Sequence, residues 1–185
     1  EGFVKMDESI SDDVLETLIG DIVRYQSKDN STMAALQEHF TKLSGREATS
    51  VCGFSSKYKY SATCFVEGNF VIGAPEFVLR SDFARFEDYI SNISNKGYRV
   101  LAIAKTSEVP NGGRLEAPVR LLGLVFLDNP VRESAKETFE YFAANGVEIK
   151  VISGDNPETV SHVAMEAGII GGDHYVDARD LTDEQ

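Results

Sequence analysis

Apolar residues recur at helical spacing over residues 9–25, where Val14, Leu15, Leu18, Ile19, Ile22 and Val23 fall on one stripe. Ser9 and Asp12 stand three positions apart ahead of that stripe, the spacing of a capping box, so the helix is expected to start there. A second helix fits 31–43, with Met33, Leu36 and Phe40 inward. Residues 49–54, 60–66 and 69–73 carry short strand-forming runs, and Glu67-Gly68-Asn69 supplies a hairpin turn between the last two. Leu79, Phe83, Phe86, Ile90 and Ile93 repeat at helical spacing and predict a helix over about 82–95, stopped at Asn95-Lys96-Gly97. Strands are expected at 98–104 and 119–127. Between them, Pro110, Asn111, Gly112, Gly113 and Pro118 make 105–118 read as a mobile loop.

The rhythm changes after Asp128. An amphipathic helix is expected over 132–145, a buried strand over 147–152 and a helix over 156–168 closed by Gly168. Helix, strand and helix in that order belong to a parallel doubly wound sheet. The expected fold class is therefore α/β (α+β): an antiparallel sheet with flanking helices over 1–128, then a partial parallel α/β segment over 129–185.

Composition narrows the partners. The 185 residues carry a net charge of -12 with no Lys/Arg cluster, so nucleic acid is excluded as an expected ligand. No run of 18 apolar residues is present to span a bilayer, and Glu1-Gly2-Phe3-Val4-Lys5 lacks the apolar core of a signal peptide. Cys52 and Cys64 lie among strand-forming residues and read as two reduced thiols of a core. His39, His162 and His174 show no metal-ligand spacing, and Met33 and Met165 read as packing residues.

Three constellations carry candidate chemistry. In Val151-Ile152-Ser153-Gly154-Asp155-Asn156 a strand runs into a helix through a small-residue turn, where free N–H groups and the helix dipole favour a phosphate. Gly154 lets a ligand approach the backbone, and Asp155 can hold Mg²⁺ or cap the helix. In Gly53-Phe54-Ser55-Ser56-Lys57-Tyr58-Lys59, Phe54 between small residues can offer its ring to a purine or fill a core position, while Lys59 can meet a phosphate. The Gly73-Ala74-Pro75 turn has no large side chain to block a ring. In Lys96-Gly97-Tyr98-Arg99-Val100-Leu101-Ala102, Arg99 interrupts an apolar strand and needs a carboxylate or phosphate partner.

Phe-Ser-Ser with a following Lys, Gly-Ala-Pro-Glu, Gly-Tyr-Arg-Val-Leu-Ala, Asn-Pro-Val-Arg and Ser-Gly-Asp-Asn stand in one order. In that order and spacing, from about Thr32 to Ile169, the chain resembles P-type cation-transporting ATPases. The resemblance implies a nucleotide-binding domain over 1–128 and part of a haloacid-dehalogenase-like phosphorylation domain over 129–185. It implies that Phe54 stacks on adenine, Lys59 lines the pocket, Gly73 and Ala74 form its floor, and Arg99 reaches the phosphates. Asn129, Pro130 and Arg132 would be the hinge, and Ser153, Gly154 and Asp155 would contact the transferring phosphoryl group or its Mg²⁺. ATP and Mg²⁺ are the implied ligands, and the remaining domains and transmembrane helices of the pump the implied partners, with this region on the cytoplasmic face of a bacterial plasma membrane. Glu1-Gly2 resembles the tail of the family's phosphorylation motif, so the acceptor aspartate would precede the chain, which alone is not expected to be catalytic.

Three positions depart from the family pattern. Ile72 stands where a Lys usually precedes Gly-Ala-Pro-Glu, Met33 where a Glu is usual, and Asn129 where the hinge usually has Asp. If residue 72 lines the pocket, Ile72→Lys should tighten ATP binding about 3- to 10-fold; if it is a core strand residue, the same change should destabilise the fold. Two alternatives to the pump are a haloacid-dehalogenase-type phosphatase, which would need an Asp-x-Asp motif after an early strand where Asp12-Asp13 instead sits in an expected helix, and a non-catalytic nucleotide sensor.

Overall fold

A computed structural model describes residues 2–128, 131, 133–154 and 157–177. They form two units, Glu1–Glu87 with Val100–Leu127, and Asp88–Arg99 with Asp128–Gln185.

The first unit is built on a six-stranded sheet of order β1-β6-β5-β4-β3-β2. Its strands are β1 (Gly2–Lys5), β2 (Ser50–Ser55), β3 (Tyr60–Phe65), β4 (Gly68–Gly73), β5 (Arg99–Thr106) and β6 (Val119–Leu127). β2, β3, β4 and β5 pair antiparallel in sequence order, and β1 closes the other edge against β6 from Gly2↔Phe126 to Lys5↔Gly123. β1 escapes a periodicity reading because four residues give no repeat to recognise.

One face of the sheet carries the main core. Alternation along β4 sends Phe70 and Ile72 to that face, where with Phe65 and Ile103 they meet α1 (Asp12–Val23) and α2 (Ser31–His39). Leu15, Leu18, Ile19 and Ile22 come from α1, and Met33 and Leu36 from α2, each at most 5% exposed. Polar groups caught in this layer are paired. The Thr63 hydroxyl donates to Ile22 O at 2.9 Å and accepts from Gln26 Nε2 at 2.9 Å. Asp21, fully buried on α1, accepts from Ser44 N at 3.0 Å, Ser44 Oγ at 2.6 Å and Arg46 Nη1 at 3.0 Å, which ties the segment after α2 down onto α1.

The other face carries Tyr60, Ala62, Cys64, Val71, Gly73 and Ala102, small residues apart from Tyr60 and Val71. The 107–118 loop is tied to the rest of the unit. Tyr60 Oη donates to Gly113 O at 2.7 Å, the Arg80 guanidinium donates to Leu115 O and Ala117 O, and the Glu108 carboxylate accepts the N–H groups of Glu116 and Ala117. The loop expected to be mobile is thus strapped at several points, because its glycines and prolines fit a fixed path whose polar groups find partners.

Helix boundaries differ from the sequence reading in three places, the first being α2, which ends at His39 rather than 43. The cap of α1 is Ser11, whose side chain accepts from Val14 N at 3.2 Å, while the Ser9 N–H is taken by Asp7 Oδ1 at 2.9 Å. The helix expected over 82–95 is formed only as α4 (Glu87–Ser94), after a 3₁₀ turn (Arg80–Arg85) that follows a short separate helix, α3 (Pro75–Leu79). Arg80 takes a φ of 54°, which no α-helix continues through.

The second unit holds α5 (Ala135–Ala144) and α6 (Pro157–Glu166). Both end in a Schellman turn: Val147 N donates to Phe142 O, and Ile169 N to Ala164 O, at 3.0 Å each, with Gly146 and Gly168 at positive φ. The buried strand expected over 147–152 is not formed. Val147 and Val151 are about half exposed and Ile152 is 97% exposed. A strand needs a neighbour to take its backbone hydrogen bonds, and among the described residues none pairs with this run. The parallel segment of the expected fold class is therefore absent from the described residues, and the sheet observed is the antiparallel one. The hinge residues Asn129, Pro130 and Arg132, and Asp155, lie outside the described residues.

Candidate functional site

β2 and β3 are joined by a tight polar turn. Lys59 N donates to Ser55 O at 2.6 Å and Tyr58 N to Ser55 Oγ at 3.2 Å, so Ser55 organises the turn with its backbone and its hydroxyl. Sequence reasoning did not assign Ser55 this role, although a serine opening a polar run between two strands is the usual signal for it. Just before the turn the β2–β3 register slips between Cys52 and Ser55, leaving Gly53 and Phe54 in the irregular stretch. Phe54 is 54% exposed, and a Cβ added at Gly53 would have nothing within 4 Å. Phe54 is therefore not a core residue. Its ring stands at the surface beside open space.

Lys59 follows at φ 53°, in the left-handed region that a lysine rarely occupies. It lies against the end of β4. Tyr60 pairs with Gly73, and Ala74 N donates to Lys59 O at 2.9 Å. A Cβ at Gly73 would sit 2.6 Å from Tyr60 Cα and closer still to the Lys59 carbonyl oxygen. Ala74 then caps α3, its carbonyl accepting from Val78 N at 3.0 Å, with Pro75 at the first helical position. The structure thus joins Lys59, Gly73 and Ala74 into one corner, five residues from Phe54. Gly73 is buried against Lys59 and Tyr60, so its own surface is not the open floor that was expected.

The two pocket departures fall elsewhere. Ile72 is 2% exposed and Met33 5% exposed, and both belong to the cluster between the sheet and α1 and α2. Alternation decides this: if Gly73 faces Tyr60, then Ile72 faces the helices. The expected gain in binding from a lysine at 72 is overturned on this ground.

Arg99, half-buried, opens β5 and belongs to the second unit. Ser153 and Gly154 also belong there, exposed in the turn ahead of α6. Among the described residues no group of three or more His, Cys, Asp or Glu is placed to hold a metal ion, and no helix is long and apolar enough to cross a membrane. Burial pushes the Cys52 and Cys64 thiols above their ordinary range, so both stay protonated at neutral pH. Burial likewise raises Tyr60, with Cys52 adding to it and a hydrogen bond from the Gly112 backbone acting the other way.

No protein-family model matches the chain. Individual relatives do. The calcium-transporting ATPase CtpE of Mycolicibacterium smegmatis is 35% identical over 173 residues, covering 93% of this chain and 21% of that protein. The probable cation-transporting ATPase exp7 of Streptococcus pneumoniae is 29% identical over 188 residues, covering 100% of this chain and 24% of that protein. The chain therefore spans about a fifth to a quarter of the length of the curated relatives it matches. Among solved structures, a zinc-transporting PIB-type ATPase in the E2.Pi state superposes with a TM-score of 0.52 at 19% identity, over 88% of this chain and 24% of that one. That likeness concerns the fold. All three of these proteins are named as transporting ATPases, and none as a phosphatase or a nucleotide sensor.

Proposed function

The chain belongs to the P-type cation-transporting ATPases, and we propose that it supplies the ATP-binding surface of such a pump on the cytoplasmic side of the membrane. Phe54 carries this reading. An aromatic ring 54% exposed, flanked by a glycine with empty space around it and followed by a fixed lysine, is a stacking platform beside a cation. Adenine and a phosphate chain present the complementary pair, a flat π-face and negative charge. In a protein of net charge -12, an anionic ligand must be met by local cations. Lys59 is one such cation, and Arg99 would be the second.

Domains over 1–128 and 129–185 would then bind the nucleotide and receive its terminal phosphoryl group, with Asn129, Pro130 and Arg132 as the hinge. Ser153, Gly154 and Asp155 would face that group. Mg²⁺ takes hard oxygen ligands, which phosphate oxygens, a serine hydroxyl and an aspartate all offer, and it supplies charge neutralisation on the phosphates. The rest of the pump, with its transmembrane helices, would be the partner.

ATP titration of Phe54→Ala tests the proposal. Stacking of a base on an aromatic ring is worth ~1–3 kcal/mol, so affinity should fall about 5- to 150-fold with the melting temperature unchanged. Equal affinity in a folded variant would remove Phe54 from the site.

A further inference from the structure

Lys59 is one of two described non-glycine residues at positive φ, the other being Arg80. A non-glycine backbone held in the left-handed region persists only where its surroundings over-determine it. Here they do so from both sides. The Lys59 N–H is bound by Ser55 O at 2.6 Å, and its carbonyl accepts from Ala74 N at 2.9 Å. Gly73 lets that second contact form, because any side chain there would overlap the Lys59 carbonyl and Tyr60. The neighbouring Lys57 places its Nζ 5.2 Å from the centre of the Tyr58 ring.

We propose that the Gly73–Ala74 corner is a clamp on the Lys59 backbone, and that Gly73 and Ala74 are positioning residues, aiming the Lys59 ammonium at the phosphates, rather than contacts of the base. The clamp rests on the reading that this site takes ATP. It explains why a residue of ordinary backbone preference occupies an unfavourable conformation, and why a buried glycine and a helix cap meet it there. A lysine held by its backbone on both sides loses less freedom when it meets an anion than one on a free loop.

The test is a double-mutant cycle read with two ligands, ATP and adenosine. Lys59→Ala should weaken ATP binding about 10-fold and leave adenosine within about 2-fold, since only ATP carries the charge. Gly73→Ala should weaken ATP about 3- to 10-fold, again sparing adenosine, and should add nothing in the Lys59→Ala background. Ala74→Pro is the second route to the same end. Proline fits the Ala74 φ of -59° but lacks the N–H that Lys59 O receives, so it should reproduce the Gly73→Ala pattern even if that variant does not fold. Equal loss of ATP and adenosine, or an undiminished effect of either change once Lys59 is alanine, would show that the corner is merely structural and overturn the clamp. Wild-type chain that binds neither ligand would overturn the nucleotide reading itself, and the clamp with it. Binding by wild type that Phe54→Ala weakens, alongside an additive cycle, would leave that reading standing and the clamp refuted.

Discussion

Replacing Ile72 with lysine separates the two places that residue could occupy. Ile72 is 2% exposed, in the layer between β4 and the helices α1 and α2, paired across the ladder with Ser61 on one side and Ile103 on the other. The side chains clustered around it are apolar, and Asp21, the buried carboxylate of the same layer, is already taken by Ser44 and Arg46. The amine must shed its proton, pull the strand toward water, or unfold the unit. Staying neutral at pH 7, against an ordinary lysine pKa near 10.4, requires about 4.6 kcal/mol at about 1.36 kcal/mol per pH unit. Lost isoleucine packing adds about 1 kcal/mol, since the lysine stem keeps part of it. A total between about 5 and 6 kcal/mol rivals the whole stability of a small domain, so the melting temperature should fall by roughly 10–20 °C, or cooperative melting should vanish. The sign with pH follows. A lysine whose folded pKa is depressed destabilises fully at neutral pH, where the unfolded chain binds the proton, and the deficit shrinks as pH approaches the unfolded value. Thermal melting of wild type, Ile72→Lys and the control Ile72→Val at pH 7 and pH 9.5 measures this, with the valine variant expected to lose only about 0.5–1.5 kcal/mol. A lysine variant that melts within about 3 °C of wild type and binds ATP more tightly would show that residue 72 faces the ligand, and that the face assigned from strand alternation is wrong.

Two further outcomes follow from the first unit. Ser11→Ala should lower stability by about 0.5–2 kcal/mol in urea unfolding, because it deletes the bond to Val14 N, whereas Ser9→Ala should leave the α1 cap intact and change the unfolding midpoint less. The Ser9 N–H and hydroxyl hold Asp7 below the usual carboxylate range, with Arg120 beside it. An acid whose folded pKa is lowered contributes stability that is present above about pH 4 and lost as pH falls through the folded value. The stability gap between wild type and Asp7→Asn should therefore narrow when melting is repeated well below pH 4 instead of at pH 7.

The central strands were legible because their residues alternate and glycine marks their turns. β2, β3, β4, β5 and β6 fall within two residues of the expected boundaries, and α1 and α2 bury the stripes their spacing predicts. What failed did so where a local pattern had to be completed by something distant. The capping box at Ser9 and Asp12 is a correct motif with the wrong occupant, since Asp7 takes the Ser9 N–H first. The apolar spacing from Leu79 to Ile93 is real, yet Arg80 turns the chain out of the helix partway along it. The run at 147–152 has the composition of a strand, but composition supplies no partner for its backbone, and the run stays exposed. β1 was missed for the converse reason: it is a strand because β6 is beside it, and its four residues carry too little pattern to announce that.

The candidate site shows the same division between what a residue is and where it is placed. That Phe54 is unusual can be read from its small neighbours, and the structure exposes it. That Lys59 adopts a left-handed backbone cannot be read from its identity, because lysine has no preference for it; the requirement comes from Ser55 on one side and Ala74 on the other. Gly73 was legible as a glycine with a purpose, but two purposes fit it, an open floor for a ring or close approach of two backbone segments. The 2.6 Å that would separate its missing Cβ from Tyr60 Cα selects the second. A sequence motif preserves the residue that a geometry demands without stating which neighbour makes the demand. Here the neighbour is a lysine at positive φ, a backbone conformation held from both sides by Ser55 and Ala74.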